Sequence, residues 1–298
     1  MKSSFSKYSP TDFLLTAYLA LTGVFIIIAG LLGRQEDWWM FAIHHIVLIG
    51  IIFAISRINT DRRNILSFIR YLYPLFIFGS LYRETHELHH VFFAKPLDYY
   101  FVVWDELIFK SQPCVAFAEF CNAPWFSEIL HFFYFSYFFL IVCLPLMNWF
   151  RKNPAMTERR TFDLGFTYSI FFILFIIMPV YGPRVAYPPA VDIPRTGYFF
   201  GPFFERLFSG LQIAGAAFPS SHCGIAAMVG AFSIRDFPKG WPVVILCTFG
   251  VFLATVYGRF HYAIDVVYGA GLGFLCYTVS GRVHAWLFKH GFKGSSLR

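Results

Sequence analysis

Two histidines and a carboxylate stand at the starts of apolar runs. They are His222, in Phe218-Pro219-Ser220-Ser221-His222, and His261 with Asp265, in Gly258-Arg259-Phe260-His261-Tyr262-Ala263-Ile264-Asp265. One intervening apolar segment returns the chain to the same membrane face. Two imidazoles, a carboxylate one turn beyond the second and nearby arginines are the parts needed to break a phosphate ester through a phosphohistidine. At i and i+4 of a helix, His261 and Asp265 share a face, so the carboxylate can accept a hydrogen bond from one ring nitrogen. That fixes the tautomer and leaves the other nitrogen to attack. The positive end of a helix also disfavours protonation of the ring. The same pair serves equally well as a structural anchor at the interface.

Pro219, Ser220 and Ser221 precede an apolar run and form a helix start. Its free N–H groups make an anion site before any side chain is counted. His222, in the first turn, can hand a proton to a leaving alkoxide, or be an interfacial histidine behind an ordinary serine cap. Arg184, in Pro179-Val180-Tyr181-Gly182-Pro183-Arg184, can grip two phosphoryl oxygens with its rigid fork. Lipid headgroups are the alternative partner for it, and the same two readings apply to Arg259.

The elements that must position these residues are membrane helices. Hydrophobic residues make up 57% of the 298 and charged ones only 14%, which excludes an ordinary soluble domain. Apolar segments run over 13–33, 40–56, 64–82, 126–150, 164–182, 219–234, 241–257 and 262–281. The first lacks a small-residue cleavage site and reads as a span rather than a removable signal. Arg70 and Pro74 interrupt the third, and Arg70 is near enough to its end to snorkel. The reading is all-α, a polytopic membrane helix bundle of about eight transmembrane helices.

With eight spans both termini share a side, and that side collects sixteen of the 24 lysines and arginines. Arg34, Arg83, Lys95, Lys110, Arg184, Arg195, Arg206 and Arg259 fall on the other. Positive charge stays inside, so the termini are expected in the cytoplasm and the candidate site on the extracytoplasmic face. The net charge of +7 thus reports topology, and nucleic acid is not an expected partner. Two long outer connections remain, about 83–125 and 183–218. The first is rich in Phe, Tyr and Trp and is expected to lie in the interface as short amphipathic helices. Its stretch from Phe92 to Phe120 suits a lid, or simple membrane anchoring.

Taken together, these residues resemble the type 2 phosphatidic acid phosphatase superfamily, whose motifs read K-x6-R-P, P-S-G-H and S-R-x5-H-x3-D. The resemblance covers about residues 164–281, with the motifs in order. It implies a six-helix phosphatase-type core within residues 64–298, after N-terminal membrane helices in 1–63. Carried over, His261 is the nucleophile, His222 the general acid and Asp265 the partner that orients His261, while Arg184 binds phosphate. Ser220, Ser221 and Arg259 join the expected phosphate-binding set. No metal or organic cofactor is implied.

Three departures stand out. Ile177 replaces the first-motif lysine, Ser221 the second-motif glycine and Thr255 the third-motif arginine. Such erosion resembles the inositolphosphotransferase branch, the inositol phosphorylceramide synthase relatives. Pro96-Leu97-Asp98 through Asp105 to Pro113, then Glu128-Ile129-Leu130 and Tyr134, add to that likeness. The implied activity is transfer of a phosphoryl or phospho-headgroup from a lipid donor to an acceptor alcohol. Transfer to water, as in a lipid phosphate phosphatase, and a non-enzymatic lipid-phosphate transporter or scaffold are the alternatives.

Other polar residues carry less chemistry. His86, Glu87, His89 and His90 could hold a divalent ion but read more simply as a polar interfacial stretch. His44-His45, mid-span, is expected to form interhelical hydrogen bonds. Cys114 and Cys121 share a loop and can pair if it faces an oxidising compartment.

Overall fold

The computed structural model describes residues 8–60, 63–186, 197–208 and 215–292. Arg62, Arg195, the terminal basic residues and much of the 183–218 connection lie outside the described residues. Among the described residues the fold is all-helical, with no strand. The helices are α1 (Pro10–Leu31), α2 (Trp38–Ser56), α3 (Ile65–Leu88), α4 (Asp98–Phe109), α5 (Pro113–Phe120) and α6 (Pro124–Phe150). They continue with α7 (Pro154–Ile177), α8 (Pro183–Ala186), α9 (Phe200–Phe208), α10 (Ser221–Asp236), α11 (Trp241–Tyr257) and α12 (Ala263–Lys289).

Each of the eight apolar segments is helical, and α1, α2, α3, α6, α7 and α12 are long and apolar enough to cross a membrane. The chain is a multi-pass membrane protein. The 16 residues of α10 and 17 of α11 are shorter. At about 1.5 Å per residue they extend about 24 and 26 Å, just under a bilayer core of about 30 Å.

The described residues form two compact units. One comprises those within Met1–Val91, Val142–Ile173 and Cys276–Arg298. Several of its buried charged residues are paired, as an apolar medium demands. Ser9 and Asp12 form a reciprocal cap at the start of α1. Arg70 does not snorkel: it is buried, and its fork grips Asp12, with Nη1 2.9 Å from Oδ1 and Nη2 on Oδ2. Tyr73 adds a hydroxyl donor to the same carboxylate at 2.6 Å. A buried carboxylate draws the guanidinium inward more strongly than the interface draws it out. Glu158 of α7 accepts from Thr11 at 2.9 Å and meets His284 at 2.7 Å. Asp163 receives Arg160 at 2.6 Å and Ser280 at 2.7 Å.

The other unit comprises the described residues within Phe92–Ile141 and Leu174–Leu275. In it α12 meets α10 through glycine. A side chain at Gly269 would overlap the backbone of Ser220, and one at Gly273 the backbone of Gly224. This is close backbone packing of the kind small residues permit between membrane helices. The aromatic segment after α3 forms the expected short helices, α4 and α5. Helix α4 is amphipathic in an inverted sense: Tyr99, Tyr100, Leu107 and Ile108 are exposed, whereas Asp98, Phe101 and Asp105 are buried.

Candidate active site

The inverted face of α4 explains how the site is built. Asp98 accepts from the backbone N–H of Tyr181 at 2.8 Å, from that of Gly182 at 2.7 Å and from the Tyr262 hydroxyl at 2.9 Å. Asp105 accepts from the N–H groups of Ala263 at 2.9 Å and Ile264 at 3.0 Å, the open end of α12. One short helix therefore ties down both the segment leading to Arg184 and the segment carrying His261. Each carboxylate satisfies helix-end or loop N–H groups that would otherwise be buried without partners. Phe101 packs between them, in a cluster with Val180, Ala217, Phe218 and Tyr262.

His261 follows a tightly wound turn. The N–H groups of Phe260 and His261 both reach back to Thr255 O, at 3.0 and 3.2 Å, and Arg259 takes a left-handed φ of 55°. His222 lies in the first turn of α10, capped by Ser220, whose Oγ accepts from Cys223 N at 3.3 Å. These two turns bring His261 Nε2 to 3.4 Å from His222 Nδ1. His261 Nδ1 lies 2.7 Å from Ala217 O. A carbonyl can only accept, so Nδ1 carries the hydrogen and Nε2 of the neutral ring presents its lone pair. Burial pushes the His261 imidazole down to about 4, which keeps it neutral at ordinary pH. His222 Nε2 meets the Tyr134 hydroxyl at 3.0 Å.

Asp265 sits differently from the expected hydrogen-bonded partner. Its Oδ2 is 3.7 Å from His261 Nδ1 and accepts instead from Tyr262 N at 3.0 Å. The carbonyl of Ala217 holds the bond that the i, i+4 spacing suggested for the carboxylate. Asp265 thus holds the loop around His261 through the Tyr262 N–H rather than holding the imidazole itself.

The expected phosphate-binding residues divide. Arg184 Nε donates to Gly258 O at 2.9 Å, and its guanidinium lies 3.8 Å over the Phe260 ring. Phe260 stacks in turn on Tyr134 at 4.3 Å, so arginine, two rings and His222 follow one another. Gly182, two residues earlier, has φ 93°, and a Cβ there would meet Phe260 O at 2.9 Å. Only glycine suits that position. Ser220 and Ser221 are buried, with Ser220 Oγ committed to its cap and Ser220 N donating to Asp265 O at 3.2 Å. Arg259 is also buried, and its charge reaches the Cys114 thiol of α5. Burial dominates there and pushes that thiol up to about 11. All six cysteines are free, Cys114 and Cys121 included.

Four supports are given no role by side-chain reasoning. The Ala217 carbonyl has no residue signature at all. Asp98 and Asp105 stand seven apart on one helical face, a spacing legible only once the segment is known to be a helix. Glu128 is a third carboxylate anchor, accepting from Tyr198 N at 2.8 Å and Phe199 N at 2.9 Å just ahead of α9.

The family model of the PAP2 superfamily matches residues 103–279. The chain is also similar to the inositol phosphorylceramide synthase catalytic subunit AUR1 of Saccharomyces cerevisiae, with 31% identity over 81 residues. That stretch is 27% of this chain and only 20% of the yeast protein. No solved structure matches.

Proposed function

Because the chain belongs to the PAP2 superfamily, we propose that it is a lipid phosphotransferase working through a phosphohistidine on His261. One observation carries the reading: His261 Nε2, its lone pair exposed by the Ala217 bond, lies 3.4 Å from the second imidazole of His222. Nε2 attacks phosphorus of a lipid phosphodiester while the bond to the leaving alkoxide breaks, and His222 supplies that oxygen's proton. The two rings part to admit the phosphoryl group, since attacking nitrogen and leaving oxygen lie on opposite sides of phosphorus. Charge on the equatorial oxygens falls to Arg184 and the first N–H groups of α10. An acceptor alcohol, deprotonated by His222, then attacks phosphorus and releases His261.

The name of the yeast relative supports a phospho-headgroup as the group moved and a ceramide hydroxyl as acceptor. The basic-residue imbalance supports an extracytoplasmic site with cytoplasmic termini. The test is rapid acid-free quenching of purified protein with a phosphorus-labelled phospholipid. The expected product is an alkali-stable, acid-labile label on wild type that is absent from His261→Ala, with turnover lowered by on the order of 10⁴-fold or more. A folded His261→Ala protein that still turns over lipid at the wild-type rate would overturn the mechanism.

A further inference from the structure

His44 and His45 of α2 and Glu84 of α3 bring their ligand atoms within 4.8 Å of one another, in the unit that lacks the paired histidines 222 and 261. The hydrogen-bond chemistry of this cluster is unusual. His45 Nδ1 lies 2.9 Å from Leu19 O, so it must be the N–H of the ring. The other nitrogen, Nε2, is then a lone pair when the ring is neutral, yet it stands 2.6 Å from Glu84 Oε1. Two acceptors at that distance repel unless positive charge lies between them.

His44 repeats the pattern. Its Nδ1 faces Glu84 Oε2 at 3.1 Å, while Nε2 lies 3.1 Å from the Ser80 hydroxyl, which can accept the ring hydrogen when Nδ1 is the ligand atom. Each ring thus turns one nitrogen to the carboxylate and has the other held from behind. Histidines bound to metal are held in this way, with the second N–H on a carbonyl or hydroxyl that fixes tautomer and orientation.

We propose that His44 Nδ1, His45 Nε2 and the Glu84 carboxylate bind a divalent transition-metal ion of the zinc class. Two imidazoles and one carboxylate suit zinc or its neighbours, not the oxygen-seeking magnesium or calcium. Without a metal, one proton between His45 Nε2 and Glu84 and the ring hydrogen of His44 on Nδ1 would meet the two carboxylate contacts. A dication serves both and neutralises a carboxylate whose side chain is 4% exposed. A tetrahedral ion about 2.0 Å from each donor places the donors about 3.3 Å apart. The His44 contact is near that spacing, and the His45 contact opens by a fraction of an ångström. Three protein ligands leave a fourth position, and His44 and Glu84 line a cavity of about 640 Å³ together with Arg83 and Glu87. Water or an anionic ligand can complete the sphere there.

The full chain in detergent, stripped with a chelator and resupplied with zinc or cobalt(II), gives the test. About one ion per chain by mass spectrometry is expected, with the intense visible absorption of tetrahedral cobalt. Glu84→Gln should abolish stoichiometric binding. Ser80→Ala, which removes only the outer partner of His44, should weaken affinity by about tenfold while the fold persists. A folded wild-type chain that takes up neither ion would overturn the proposal, as would unchanged binding in both variants. Turnover of lipid is not the readout, so failure of this site leaves the phosphohistidine reading untouched.

Discussion

At the scale of the residue, His261 is set by a backbone carbonyl and not by its expected carboxylate. Where a carboxylate is the only lock on a catalytic imidazole, its conversion to an amide costs about 10⁴ in kcat through the wrong tautomer. Here Ala217 O accepts from Nδ1 at 2.7 Å and Asp265 lies 3.7 Å away. The tautomer therefore survives Asp265→Asn, and what is lost is an outer carboxylate that shapes the loop beside the proposed nucleophile. The expected cost is about 10- to 100-fold in kcat, the range typical of an outer partner. Kinetics on the purified variant check this, and a loss as large as that of His261→Ala would show that Asp265 reclaims the Nδ1 bond during turnover. The motif spacing made the histidines and the carboxylate legible in the sequence. Ala217 was not, because a main-chain acceptor is supplied by conformation rather than by residue type.

At the scale of the element, the site depends on how closely α12 approaches the start of α10. Gly269 lies against the Ser220 backbone, one turn after Asp265, and Gly271 has nothing within 4 Å of the place its Cβ would occupy. Gly269→Ala therefore pushes two backbones apart and should destabilise by about 1–3 kcal/mol. It should also depress turnover, because the displaced turn carries His222. Gly271→Ala should be neutral or slightly stabilising, since alanine favours a helix over glycine by up to about 1 kcal/mol. Thermal unfolding and activity of the two variants check the pair, and equal effects would refute the contact. The long helices were legible from their apolar runs, and the start of α10 from Pro219 and Ser220. The inward role of α4 was not. Its exposed Tyr99 and Tyr100 look like a membrane anchor, which hides the fact that Asp98 and Asp105 on the opposite face hold the site together. Arg70 was misleading for a related reason, since its partner Asp12 is 58 positions away.

At the scale of the whole molecule, the proposed orientation rests on charge. Arg70, Arg159 and Arg160 are committed to Asp12 and Asp163 and report packing more than topology. Setting those three aside leaves thirteen basic residues on the terminal side against eight opposite, so the bias persists. In a background without native cysteines, a cysteine at exposed Val185 should react with an impermeant reagent added to intact cells. One at exposed Lys239 should react only after permeabilisation. The reverse pattern would invert the assignment.

Orientation also bears on which acceptor resolves the phosphohistidine. Water is abundant on an extracytoplasmic face, so a transferase there must shield its intermediate while a second lipid docks from the bilayer. Helix α4 is suited to both tasks. Asp105 fixes it to the start of α12, two residues from His261, while Tyr99, Tyr100 and Trp104 point outward, where aromatic rings settle at membrane interfaces. Replacing these three with serine leaves Asp98 and Asp105 in place and removes only the apolar cover. With wild type, a labelled phospholipid should yield product only when an acceptor alcohol such as ceramide is supplied. In the triple variant the ratio of transfer to hydrolysis should fall several-fold, while formation of the phosphohistidine is preserved. Steady phosphate release by wild type without any acceptor, and no new lipid when acceptors are added, would make the chain a phosphatase and leave α4 a plain membrane anchor.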